Sequence, residues 1–201
     1  IHWAIINGET ETGLTSFFLN EKVDTGNVIL RTKTEIKEDD NYDSLYARLS
    51  DMSGSFLMDT LEAIQRPDFE PLPQDPALAT PAPKITPFDA MIDWGFPATK
   101  VHNFIRGLSS RPGAWTLFRG RKLKILRSVR TDHPGLESTR PGTIIPDRTH
   151  LLVQCSRSAI ELTEVVPEGK KPMGGLAFIN GQKPREGEIL GDTGKEVRNT
   201  N

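Results

Sequence analysis

The chain has 201 residues, with apolar residues at 36%, charged residues at 26%, four histidines and one cysteine. That length fits one large domain or two small ones of ordinary soluble composition, a little lean in core-formers. Cys155 alone excludes an internal disulfide framework and a cysteine-rich zinc site, and the histidines are too scattered for a clustered metal motif. No apolar run is long enough to span a bilayer, and the single cysteine makes a reducing compartment the default.

The formal charge of −2 hides a division. Residues 1–75 carry 15 acids against 6 bases, whereas residues 100–130 carry nine bases and no acid. Local fields, rather than the total, decide where a polyanion docks. The opening Ile1-His2-Trp3-Ala4-Ile5-Ile6 is apolar from its first residue. Such a start suggests a fold entered partway, with a front part lying elsewhere; the plain alternative is a strand or helix packed at the terminus.

Residues 13–19 read as a strand, 20–22 as a polar turn and 28–36 as a second strand. The clearest helix spans 41–64. Tyr42, Leu45, Tyr46, Leu49, Met52, Phe56, Leu57, Leu61 and Ile64 recur there at three- and four-residue steps. Asp40 is the predicted N-cap. Residues 67–87 hold seven of the 15 prolines, a density that no regular helix survives. They read as a stiff extended linker that can be pinned against a domain surface.

A second helix is predicted over 97–108, with Pro97 in its first turn. Short strands follow at 114–118, 122–129, 143–145, 150–154, 159–166 and 189–190. The first two are joined by the three-residue connection Arg119-Gly120-Arg121. A short helix is predicted over 173–179, and the tail from Asp192 reads as polar and frayed. Many short strands with little helix suggest a small closed barrel of OB type.

Arg106, Arg111, Arg119, Arg121, Lys122, Lys124, Arg127 and Arg130 lie within 31 residues that contain no acid. By composition alone this is a solvated charged face or a phosphate-contacting surface, and strand alternation separates some members onto opposite faces. Cys155, at the end of a strand pattern, reads as a buried structural thiol. The three tryptophans read as packing anchors.

Several ordered stretches carry a resemblance. Trp3 to Gly13 (Trp-Ala-Ile-Ile-Asn-Gly-Glu-Thr-Glu-Thr-Gly) and Asp24-Thr25-Gly26-Asn27 are similar to the second half of the catalytic domain of the 10-formyltetrahydrofolate-dependent formyltransferases. Further stretches resemble, in order, the linker and C-terminal domain of the methionyl-tRNA formyltransferases. They are Pro83-Lys84-Ile85-Thr86, Ile92-Asp93-Trp94, His102-Asn103-Phe104-Ile105-Arg106, Pro112-Gly113-Ala114-Trp115 and Gly169-Lys170-Lys171-Pro172-Met173 with Phe178 and Gly181.

The resemblance implies three parts. An α/β remnant of the Rossmann-like catalytic domain fills 1–70, a proline-rich linker 71–91 and an OB-like β-barrel 92–201. It implies formyl transfer from 10-formyltetrahydrofolate to initiator methionyl-tRNA, with no metal, by a monomer in the bacterial cytoplasm or, second, the mitochondrial matrix. An amino-sugar nucleotide as acceptor, or a non-catalytic tRNA-binding module, is the alternative.

In that family an Asn, a His and an Asp handle the tetrahedral chemistry of acyl transfer. Only the Asp maps here, onto Asp24, facing a pocket that an upstream segment would complete; read without the resemblance, Asp24 is a turn residue beside Gly26. His2 does not match the family's histidine. The resemblance therefore implies that these residues alone are catalytically inactive. Asn20, Glu21, Lys22, Val23 and Asp24 match the loop whose main chain holds the pterin ring. Arg106, Arg119, Arg121, Lys122, Lys124, Lys170 and Lys171 are the implied tRNA contacts, with His102 or Arg106 free to contact the neighbouring domain instead.

Overall fold

A computed structural model describes residues 1–136, 138–145, 147–185 and 187–191. The expectation for the tail from Asp192 lies outside the described residues.

The first part is a two-stranded antiparallel sheet covered by helix. The apolar opening forms a short helix, α1 (His2–Ile6), not a strand. Strands β1 (Glu11–Phe17) and β2 (Val28–Glu35) pair from Glu11↔Glu35 to Phe17↔Val28, with an irregularity at Ser16/Phe17. Two strands alone are marginal in water. Here α2 (Tyr42–Gln65) packs on them through Leu45 and Leu49, which share a core with Ile5 and Ile36.

The cap of α2 differs from expectation. Asn41, not Asp40, is the N-cap: its Oδ1 accepts from Ser44 N–H (3.0 Å) while Ser44 Oγ accepts from Asn41 N–H (3.0 Å). This reciprocal box satisfies two orphan donors. Asp40 turns inward instead, accepting from Lys37 N–H and Ser44 Oγ (both 2.8 Å) and pairing with Arg48. Burial raises its pKa, but those hydrogen bonds outweigh it and hold the carboxyl below its ordinary value.

The proline-rich stretch is extended and mostly exposed, with one short 3-10 turn at Pro76–Leu78. It is pinned at three places. Leu72 exchanges both main-chain bonds with Val28 (2.7 and 2.9 Å). Trp3 Nε1 donates to Pro83 O (2.8 Å), and Trp115 Nε1 donates to Pro87 O (2.7 Å).

The second part is a sheet with two helices. Helix α3 (Ala98–Leu108) starts one residue after Pro97, which is its N-cap. Strands β3 (Ala114–Phe118), β4 (Arg121–Arg130), β5 (Ile144–Ile145), β6 (Leu152–Gln154) and β7 (Ala159–Pro167) run in the order β3-β4-β7-β6-β5. The predicted helix at 173–179 begins later: β8 (Met173–Gly174) pairs with β7, and α4 follows at Gly175–Gln182. A Cβ on Gly175 would sit 2.3 Å from Leu162 O, so glycine lets the chain graze β7 there.

The β3–β4 connection has two residues, not three. Arg119 (φ 51°) and Gly120 (φ 72°) both have positive φ and Phe118 pairs with Arg121, the signature of a type I′ turn.

The expected closed barrel is a curled sheet with a gap. No ladder joins β3 to β5 among the described residues. Residues 188–191 cross between them by single bonds: Ile144 N–H to Glu188 O, Leu190 N–H to Gly142 O and Gly191 N–H to Leu117 O, each 2.8 Å. Residues 90–92 cover the same edge of β3 at Trp115. The core inside is built from Val101, Ile105, Leu108, Leu123, Ile125, Ile160, Leu162 and Phe178. Ile6 joins this core while its neighbour Ile5 joins the other, so α1 serves both.

Candidate active-site loop and cationic surface

The turn between β1 and β2 is tightly built. Phe18 N–H donates to Asn27 O (3.0 Å) at its neck. Asn20 Oδ1 accepts from Lys22 N–H and from Thr25 Oγ1, both 3.0 Å. Gly26 is buried against the neck, where a Cβ would lie 1.5 Å from Phe18 O, so only glycine fits. Asp24 has φ 57°, a left-handed conformation that is uncommon for a side-chain-bearing residue. Its carbonyl, and that of Gly26, accept from Gln74 Nε2 (2.9 and 2.7 Å).

Asp24 is exposed, and its carboxylate takes part in no hydrogen bond or ion pair among the described residues. The pocket expected around it is not formed by these residues themselves. Leu19 (90%) and Val23 (87%) are also largely exposed beside it. Glu21 and Val23 figure in no hydrogen bond among the described residues. Their main-chain groups and the flanking apolar side chains suit a flat, amide-bearing heterocycle such as a pterin, so the loop fits the folate that the resemblance implies. Asn20 and Lys22, by contrast, are partly committed to holding the loop's shape.

The basic residues divide by location. Arg119, Arg121, Lys122 and Lys170 surround one cavity of about 230 Å³, with Glu168 at its rim and Phe178 at its floor. Arg119 is the most committed: it forms a two-pronged pair with Glu188 (2.7 and 2.9 Å) and donates to Gln182 O. Arg121 reaches Glu168 loosely at 3.5 Å. Lys122 lies over the Trp115 ring at 4.6 Å. Lys124 pairs with Trp115 across the strands, and Lys171 is exposed on the β7–β8 loop; neither lines that cavity.

Arg106 stands apart. Its guanidinium donates to Asn103 Oδ1 (2.9 Å), Lys37 O (3.0 Å) and Asp40 O (2.8 Å), tying α3 to the start of α2. It borders a larger cavity, about 450 Å³, between α2, α3 and β4. The arginines there have acidic partners: Arg130 with Glu38 (2.9 Å) and Arg127 with Glu164 (3.3 Å). His102 lines it too, its Nδ1 3.0 Å from Ser128 Oγ. Burial first, then the charges of Arg106 and Arg130, push its pKa down to about 4 against the opposing pull of Glu38, so it is neutral at pH 7.

Sequence reasoning missed Gln74, which lies among prolines where no periodicity marks it. It also missed Glu38, Glu164, Glu168 and Glu188, all outside the acid-free block. Only the folded chain brings those four beside it. Cys155 is fully buried, and burial pushes its thiol up to about 12, as a structural cysteine requires. Among the described residues, no three His, Cys, Asp or Glu side chains cluster in a way that could hold a metal ion.

The α/β layer followed by a curled sheet is a fold that known proteins share. Residues 1–61 match the family model described as formyl transferase, and residues 84–183 match the formyl transferase C-terminal domain. The chain belongs to the formyltransferase family.

Among curated relatives, the methionyl-tRNA formyltransferase of Chlorobium chlorochromatii is 40% identical over 194 residues, covering 94% of this chain and 60% of that protein. The one from Caldanaerobacter subterraneus is 36% identical over 190 residues, covering 94% and 61%. The chain thus spans about 60% of the length of the curated relatives it matches. Among solved structures, HypX from Aquifex aeolicus aligns with a TM-score of 0.63 at 21% identity, over 92% of this chain and 33% of that one. WlaRD, a sugar 3N-formyltransferase, aligns with a TM-score of 0.58 at 17% identity, over 84% and 59%. Methionyl-tRNA formyltransferase from Clostridium thermocellum aligns with a TM-score of 0.55 at 18% identity, over 65% and 56%. These likenesses show the shared fold.

Proposed function

We propose that the protein carrying these residues transfers a formyl group from 10-formyltetrahydrofolate to an amine, with Asp24 in its reacting centre. The observation that carries the reading is the β1–β2 loop: a built turn holding an exposed, unpaired carboxylate beside open main-chain groups, inside a formyltransferase-family match. The folate supplies the activated formyl group. In the transfer a C–N bond forms to the amine, the formyl bond to the folate nitrogen breaks, and the proton that the amine loses is matched by one that the folate nitrogen gains. Asp24 is the group these residues offer to steady that proton's path. Glu21 and Val23 offer main-chain contacts to the pterin.

The acceptor we favour is initiator methionyl-tRNA, on the strength of relatives at 36–40% identity that bear that name. Arg121, Lys122 and Lys170 would meet its phosphates, positioning the RNA without reading bases. A second reading, an amino-sugar nucleotide, is supported by the alignment with WlaRD and by the N-formyltransferase from Helicobacter canadensis, solved with folinic acid and dTDP-3-aminofucose (TM-score 0.60). That acceptor also carries phosphates. A third, a tRNA-binding module without catalysis, draws on the cationic cavity of Arg121, Lys122 and Lys170 alone.

The deciding assay gives the full-length protein 10-formyltetrahydrofolate and offers methionyl-tRNA and a dTDP-amino sugar side by side. Formylation of the tRNA alone supports the first reading, and of the sugar alone the second. RNA binding with neither product supports the third.

A further inference from the structure

We infer that Gln74, a linker residue, is a positioning residue for the Asp24 loop. Its Nε2 carries two hydrogens and meets two main-chain carbonyls, those of Asp24 at 2.9 Å and Gly26 at 2.7 Å. Both partners are acceptors, so the amide must present its nitrogen, and both N–H bonds are used. The clamp grips the peptide planes before Thr25 and after Gly26, and the orientation of the first plane bears on where the Asp24 side chain leaves the chain.

Gln74 is itself held from both directions. Two residues earlier, Leu72 exchanges paired main-chain bonds with Val28 at the start of β2. One residue later, Asp75 Oδ1 caps the 3-10 turn by accepting from Ala77 N–H at 2.9 Å. Gln74 is half-buried between these anchors. The loop's inner supports, Asn20 and Gly26, fix its neck and its width, but neither touches the carbonyl of Asp24. That carbonyl is held only from the linker among the described residues.

The linker therefore acts as a third element of the candidate site rather than a spacer. It runs on from this clamp to Pro83 and Pro87, whose carbonyls Trp3 and Trp115 hold. A shift of the curled sheet has a covalent route to the loop.

This inference rests on the reading of Asp24 as catalytic, and its test separates the two. Gln74→Glu keeps the shape but removes both donors; Gln74→Met removes them without adding charge; Gln74→Arg restores paired donors. Backbone amide order parameters of residues 22–27 are measured by NMR in each. The expected result is a fall in the first two variants from about 0.85 to below about 0.6, recovery in Gln74→Arg, and unchanged values across β1 and β2. Unchanged loop values, or an equal loosening of the whole sheet, would overturn the inference. In the full-length protein, Gln74→Glu lowers kcat by about 10- to 100-fold and raises the folate KM, and Gln74→Arg restores both. If the parent transfers no formyl group, the reading of Asp24 falls while the order parameters still judge the clamp.

Discussion

The β1–β2 loop and the basic strand β4 handle charge in opposite ways. The loop spends a buried glycine, an Asn side chain and a linker glutamine to hold one carboxylate that, among the described residues, no cation meets. Strand β4 and its neighbours carry many cations, and most are answered: Arg119 by Glu188, Arg121 by Glu168, Arg127 by Glu164 and Arg130 by Glu38. The lesson is that a run of like charge in sequence measures local composition, whereas the field at a surface depends on which distant segments fold beside it. Lys122, Lys170 and the loosely held Arg121 remain gathered at one cavity, while Lys124 and Lys171 lie outside it.

Breaking the loop carries the largest effect. In the full-length protein, Asp24→Asn lowers kcat/KM for formyl transfer by about 10²- to 10⁴-fold, while thermal unfolding stays unchanged because no native contact is lost. Retention of parental rate would remove Asp24 from the chemistry. Gly26→Ala comes next. Its Cβ would enter the space of Phe18 O, so urea unfolding reports a loss of about 2–4 kcal/mol together with lost folate binding.

Weakening the cationic cavity is a smaller and more selective change. Arg121→Glu with Lys170→Glu lowers the slope of log affinity for RNA against log salt by about 2. Arg127→Ala, which opens only an exposed pair with Glu164, changes stability and binding by about 0–1 kcal/mol. Equal losses from both sets would mean that cations at the cavity and cations away from it contribute alike.

The pH dependence comes from His102. Unfolded, it takes up a proton near its ordinary 6.5; folded, not until about 4. The unfolded chain binds more protons in that window, so stability declines as pH falls from 6.5 to 4. Glu38 and Asp39 from the turn before α2, Arg106 from α3, and Arg127 and Arg130 from β4 line the same cavity. Replacing His102 with Asn flattens that decline in a series of thermal melts. The lowered Asp40 contributes separately, at pH below its ordinary carboxylate value of 3.8.

Much of the fold was legible because period and punctuation are local properties. The step pattern from Tyr42 to Ile64 marks α2 to within a residue at each end, and Pro97 marks the start of α3. What escaped depended on partners distant in sequence. Asp40 looks like a cap until Arg48 and the main chain of Lys37 claim its carboxylate. Arg106 reads either as an RNA contact or as a tie to the neighbouring part, and only the structure brings its guanidinium onto the carbonyls of Lys37 and Asp40. The strand count suggested closure, yet the two-residue β5 pairs with β6 and, among the described residues, makes no ladder to β3. Of the candidate site, the tight turn around Asp24 was readable from Gly26, but the clamp was not, because a glutamine among prolines has no pattern to betray it.

Residues 188–191 sew two sheet edges together with isolated stitches and one arginine–glutamate rivet. A cut just before Glu188 would take the buried Leu190 from the core and bare the flank of β5 and the end of β3 that residues 90–92 do not cover. Exposed flanks of this kind recruit other chains. The clipped protein would consequently reveal itself by clumping at high concentration before it showed any loss of helix.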